Sequence, residues 1–369
     1  MTSTTDKVTP PKVAVPIWTV MGPLGALALV AVLHVLGHDG APAFLMVLAV
    51  PLLFVAVFAA VHHAETVAHR LGQPFGSILL ALAVTLIEVS LIVSLLLSAP
   101  EGESAVARDT VFAALMIVLN GILGVCLLIG GIRYHRQTLQ PHSATSALGV
   151  LATLAILALV LPNYTLAVPG PLYAPMQLVF VTVVSLALYG FFLYAQTVTH
   201  QGDFADPGDV EHAHAPIDRR AFRMALGLLP LALVSVVLMA ETLAGPVAVG
   251  ITHAGLPEAL VGVAIAMVVL MPEGVASLRA ARENRLQTSI NLALGSALAS
   301  LCLTIPTVAV ISLFMGQDLI LGLDAEHIVL LLLSLFMATL TLAMGRTTSL
   351  QGGIHLVIFG AFLTLSAIP

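Results

Sequence analysis

Charge is what this chain is short of. Only 9% of its 369 residues are Asp, Glu, Lys or Arg, while 59% are hydrophobic. A water-soluble domain carries about 25% charged residues, so a soluble globular fold is excluded. The mean hydropathy of +1.07 says the same. With a net charge of -6 there is no basic surface for nucleic acid. Cysteine is scarce too. Cys126 and Cys302 each sit inside an apolar run, which leaves neither a disulfide framework nor a zinc cluster. The chain has no His-Glu-x-x-His, no Gly-x-Ser-x-Gly and no P-loop, so zinc, serine-nucleophile and nucleotide chemistry lack their motifs. The expectation is a chain that is not an enzyme, has no resident cofactor and is not an ATP-driven pump.

What the chain does have is long apolar runs. A membrane span needs about 20 mostly apolar residues. Eleven such runs are present, near 16–36, 43–63, 76–98, 109–131, 144–161, 174–197, 222–243, 257–278, 287–313, 326–344 and 353–368. The first is too long for a signal-peptide core and reads as a retained helix behind a polar tail, 1–15. Placing the N-terminus in the cytoplasm puts Lys7, Lys12, Arg70, Arg133, Arg136, Arg219, Arg220, Arg223, Arg279, Arg282, Arg285 and Arg346 on that side. Only Arg108 falls outside. Positive residues concentrate on the cytoplasmic side of membrane proteins, so this sorting supports both the orientation and the odd count.

The spans repeat. Ala64-Glu65-Thr66-Val67-Ala68 recurs as Ala240-Glu241-Thr242-Leu243-Ala244, and the next span in each half holds one acid within an apolar run, Glu88 and Glu273. Both are followed by a span rich in small and polar residues. Five spans per copy is an odd number, so the copies run in opposite senses through the membrane. The expected fold is an all-α polytopic membrane protein of eleven transmembrane helices: an extra N-terminal helix, 16–36, and two inverted five-helix repeats, 43–197 and 222–369. A cytoplasmic linker rich in acids and histidines, 198–221, joins them. It lacks EF-hand spacing and reads as solvated chain, with a calcium or pH sensor as the other reading.

The stretch from Val268 to Pro306 carries the chemistry. Glu273 follows Pro272 inside an apolar run, where a charge costs on the order of 3 kcal/mol and is a functional hypothesis by default. Pro272 removes one helical hydrogen bond and frees backbone carbonyls near Val268. A basic turn (Arg279, Arg282, Arg285) leads to a helix with Ser289, Ala293, Ser296, Ser300 and Thr304 along one face. Carboxylates, carbonyls and hydroxyls suit a hard cation. Two neighbouring carboxylates repel each other, and one divalent cation or two protons neutralise both. Competition of that kind is the minimum requirement for antiport.

Three segments carry a resemblance to a known family: LGQPFGSILLALAVTLIEVSLIVSLLLS, RDTVFAALMIVLNGILGVCLLIGG and LPEALVGVAIAMVVLMPEGVASLRAARENRLQTSINLALGSALASLCLTIPTVAV. The sequence resembles the calcium/cation antiporter superfamily, in its bacterial calcium/proton (sodium-calcium/proton, ChaA-type) branch. The resemblance implies that the two repeats pack face to face and that one acid from each, Glu88 and Glu273, forms a shared cation and proton site. It also implies polar contributions from Asn120, Ser296 and Ser300. The chain has Thr85-Leu86-Ile87-Glu88 and Leu270-Met271-Pro272-Glu273 where vacuolar relatives commonly have Gly-Asn-x-x-Glu.

The function expected is calcium export from the cytoplasm in exchange for protons across a bacterial inner membrane, with calcium and protons as substrates and the C-terminus outside. Sodium or potassium exchange for protons on the same fold is the alternative, followed by a passive cation channel. Several polar residues also have plain structural readings. Ser296 and Ser300 are small enough to let helices pack closely. Glu65, Glu241 and Glu258 lie near span ends, where reaching water is cheap. His62, His63 and His69 read as solvated, and Arg108 with Asp109 as an ion pair at a helix start.

Overall fold

A computed structural model of the chain describes residues 16–37, 42–71, 75–98, 105–204, 219–255, 257 and 259–368. The expected N-terminal tail, Glu258 and most of the acidic linker lie outside these residues. Thirteen α-helices account for nearly all of what is described: α1 (Trp18–Leu36), α2 (Ala43–Leu71), α3 (Phe75–Ser98), α4 (Val106–Met116), α5 (Leu123–Tyr134), α6 (Pro141–Ala155), α7 (Pro175–Tyr194), α8 (Arg219–His253), α9 (Ala259–Val269), α10 (Met271–Arg282), α11 (Leu286–Met315), α12 (Ala325–Ala343) and α13 (Ser349–Ala367). A π-helical turn, Ile117–Ile122, joins α4 to α5 into one rod.

Among the described residues nine helices are long and apolar enough to cross a membrane, and α9 with α10 makes a tenth as one span bent by 54°. The expected run 76–98 coincides with α3. Two helices overshoot their expected lengths. α2 continues to Leu71 and α8 to His253, so each Ala-Glu-Thr pentad lies within a helix and not at its end. The basic residues Arg279 and Arg282 lie in the last turn of α10 and not in a loop, where they face the negative end of the helix dipole. The turn itself is Glu283 to Arg285, with Asn284 in the left-handed region at φ 60.

The bundle is hydrophobic outside as well as inside. Val47, Phe180, Phe336 and Val357 all point outward and are well exposed, as lipid-facing side chains are. The most enclosed spans are the α4–α5 rod and α11. Around them α3 packs on α11, α4 on α9, α5 on both α10 and α13, α6 on α12, α7 on α11, and α2 on α8, while α1 lies against α2 and α8.

The connecting segments sort into two ends. Gln137–Thr138 pairs antiparallel with Arg346–Thr347, and Tyr134 Oη donates to the Arg282 carbonyl at 2.7 Å, which gathers Arg133, Arg136, Arg282 and Arg346 at one end. At the other end of the α4–α5 rod, Arg108 binds Asp109 at 2.7 Å, the Gly322 carbonyl at 2.9 Å and Asp324 at 3.4 Å. The expected helix-start pair is present, and the guanidinium also ties α4 to the α11–α12 loop. One polar reading is corrected. His63 is fully buried, with Nε2 3.0 Å from the Thr19 carbonyl, so it is packed against α1 and not solvated.

Candidate functional site

Glu88 lies in the middle of α3, flanked by Ile87 and Val84, and its side chain is buried. α3 lies along α11, and Ser300 Oγ donates to Glu88 Oε1 at 2.5 Å. A bond of this kind fixes the direction in which the carboxyl group points. Ser300 therefore meets an acid from the other half of the chain, 212 residues away.

Glu273 reaches the same region by a different local route. Pro272 has no N–H for the Val268 carbonyl, and the helix breaks at Leu270 before restarting as α10. The restart leaves Glu273 in the first turn of a new helix. Unpaired backbone N–H groups and the positive end of the dipole favour negative charge there. Both carboxylate oxygens of Glu273 are shielded from solvent and make no hydrogen bond to another residue. The helix that leads into α10, α9, also touches α3, which carries Glu88. α10 also packs on α11, and Ile122 of the π turn sits 3.4 Å from where a Cβ on Gly274 would be. The helices that carry the two acids thus flank α11, one from each half of the chain.

The polar face of α11 is buried throughout. Ser289, Ala293, Ser296, Ser300 and Thr304 are each 8% exposed or less. Ser300 engages Glu88, while the Thr304 hydroxyl has no partner. One turn beyond Glu273, the Ser277 hydroxyl is also buried and unpartnered.

Asn120 is occupied elsewhere. Its Nδ2 donates to Ser334 Oγ at 2.8 Å and contacts Met116 sulfur at 3.7 Å, and its Oδ1 faces His355 Nδ1 at 3.1 Å. His355 Nε2 in turn lies 3.2 Å from Thr341 Oγ1. This network joins the π turn to α12 and α13, and both Asn120 and His355 are fully buried. The structure brings Glu88, Ser300 and Glu273 into one region and directs the Asn120 amide away to α12 and α13. Sequence reasoning missed Ser334, Thr341 and His355. A histidine inside the last apolar run was the available signal.

Two other features do not compete for a buried cation. Asp324, Glu326 and His327 gather at the start of α12, but both acids are exposed and Asp324 is taken up by Arg108. The crevice between α2, α8 and α9 is lined by Phe54, Val57, Val236, Ala240 and Val268, which offer no side-chain oxygen.

Comparison with known proteins follows the same lines. The family model described as sodium/calcium exchanger protein matches residues 41–198 and 224–368. Its two segments coincide with the two halves that each supply one acid. A candidate ionic transporter of Sinorhizobium fredii, y4hA, is 51% identical over 96% of this chain and 97% of its own length. The sodium-potassium/proton antiporter ChaA of Escherichia coli is 34% identical over 84% of each chain. The crystal structure of the H+/Ca2+ exchanger CAX superposes with a TM-score of 0.70 over 95% of this chain and 89% of that one, at 17% identity.

Proposed function

The chain belongs to the sodium/calcium exchanger family of the calcium/cation antiporter superfamily, and from that premise we propose that it exports calcium from the cytoplasm in exchange for protons. One observation carries the reading. Two buried carboxylates from opposite halves of the chain, Glu88 and Glu273, stand on helices that flank α11; one is held by a hydroxyl and the other makes no hydrogen bond to another residue. An unpaired buried carboxylate is costly unless something neutralises it. A divalent cation neutralises both acids at once, and so do two protons. The site therefore exchanges one for the other and is never left charged and empty. Ser300 directs one Glu88 oxygen, Glu273 supplies two more, and Ser296, carbonyls near Pro272 and water complete a calcium shell of six to eight oxygens.

The architecture in this reading is eleven spans, an extra helix and two inverted repeats of five. Its support is the pairing of α2 with α8 and α6 with α12, with α3 on α11 mirrored by α9 and α10 on the α4–α5 rod. The arginine-bearing end is cytoplasmic, by the positive-inside bias. The bacterial relatives fit an inner-membrane location. The transporter performs no covalent chemistry and needs no resident cofactor.

A second reading, sodium or potassium in place of calcium, is favoured by the name of the Escherichia coli relative. Reconstitution decides between them. Liposomes with an acidic lumen and a trapped pH dye receive calcium, sodium, potassium or magnesium outside. Lumenal alkalinisation by calcium that disappears in Glu88→Gln and in Glu273→Gln is the expected result. A response to sodium or potassium alone changes the substrate. Robust exchange by Glu273→Gln sinks the site, and cation flux without proton movement replaces antiport by a channel.

A further inference from the structure

Most hydroxyls on the helices of this protein return their proton to the backbone. Thr182, Thr307, Ser334 and Thr364 each donate to the carbonyl four residues back, at 2.7–2.8 Å. Ser277 does not. It is 0% exposed, the corresponding carbonyl is that of Glu273, and its hydroxyl bonds to nothing. A buried hydroxyl that no protein group engages is free to bind a water or an ion.

Its position specifies the guest. Ser277 and Glu273 are one turn apart on α10 and share a face of that helix. At 1.5 Å rise per residue, Ser277 stands about 6 Å nearer than Glu273 to the end of the bundle that bears Arg279 and Arg282. α10 ends in those arginines, so a route from Glu273 to that end along the face the two residues share passes the Ser277 hydroxyl. The Glu273 oxygens above it are likewise buried and make no hydrogen bond to another residue.

We infer that Ser277 is a positioning residue on the arginine-side approach to the exchange site, where its hydroxyl holds the water or the partly hydrated cation that passes to and from Glu273. The inference rests on the antiport reading and adds to it a residue that serves one face of the membrane only. A hydroxyl can both donate and accept, so it serves the hydrated cation on one leg and a proton-carrying water on the other. Close packing of α10 on α11 is the competing role of a small residue here, and alanine satisfies it equally well.

The test compares wild type, Ser277→Ala and Ser277→Thr in vesicles of both orientations, with calcium offered to one face at a time and proton flux recorded. Ser277→Cys, nearly isosteric, repeats the measurement should the alanine variant fold poorly. The expected result is a half-saturating calcium concentration raised roughly tenfold at the arginine-bearing face, as for loss of one hydrogen bond to a charged partner, and unchanged at the other. Ser277→Thr restores it. Equal impairment at both faces, or no impairment, overturns the inference while wild-type exchange leaves the antiport reading standing. Wild-type vesicles without proton-coupled flux overturn the antiport reading, and this inference with it.

Discussion

Ser300 separates a ligand from a packing residue. Its hydroxyl donates to Glu88 at 2.5 Å, and a bond to a charged group contributes about 1.5–3 kcal/mol. Ser300→Ala keeps the close helix approach but leaves that carboxylate oxygen without its donor. Exchange at low cation concentration should fall roughly tenfold or more and recover at saturating cation, since about 1.4 kcal/mol is a factor of ten in affinity. Initial rates across a calcium titration give the answer, and a loss of maximal rate with unchanged half-saturation would assign Ser300 to packing. At this scale the sequence was informative about the acids and silent about their surroundings. Glu88 and Glu273 stand out because charge is rare in apolar runs, whereas the amide of Asn120 had several polar candidates within reach. Only the packing of α12 and α13 against the π turn decided that Ser334 and His355 take it.

The α5–α13 contact sets the tolerance of the bundle to added volume. A Cβ on Gly131 would lie 2.2 Å from the Ser349 backbone nitrogen, and one on Gly352 would lie 2.3 Å from that of Leu128. Backbone atoms cannot rotate away as a side-chain tip can, so these two glycines are what allows the helices to touch. Gly352→Val should therefore push α13 off α5 and strain the Asn120–His355 bond, at a cost of about 1–3 kcal/mol or more for overpacking. Thermal unfolding in detergent should show a lowered midpoint, while valine at Gly353, which has nothing within 4 Å, should leave it nearly unchanged. The existence of α13 follows from an apolar run alone. Its closeness to α5 does not, because a glycine in an apolar helix reads equally well as a contact or as a lipid-facing gap.

The two ends of the whole molecule carry a prediction about sidedness. Cys126 and Cys302 are both buried, so a cysteine introduced on the surface is the accessible one. Arg346→Cys lies at the end that also holds Arg133 and Arg282, and Gln317→Cys in the loop that Arg108 grips. A membrane-impermeant thiol reagent should label Arg346→Cys only from the cytoplasmic side and Gln317→Cys only from outside. Labelling of both from one side would break the eleven-span count. Sequence reasoning assigned these segments to their ends from charge alone, and the pairing of Gln137–Thr138 with Arg346–Thr347 places two of them together as expected.

The amino-acid sequence by itself determined that this is a multi-pass helical membrane protein, that its halves echo each other and that Glu88 and Glu273 are its out-of-place charges. Those properties are local or additive: apolar runs, charge bias and the cost of one carboxylate in hydrocarbon can be read one segment at a time. The tertiary structure decided which neighbours the acids have. Ser300 holds Glu88, while Glu273 and Ser277 are left with unfilled bonding capacity and Asn120 is drawn to His355. Contacts across hundreds of residues depend on helix rotation and on the close approach that particular glycines permit. Neither is encoded in the hydropathy of any single span.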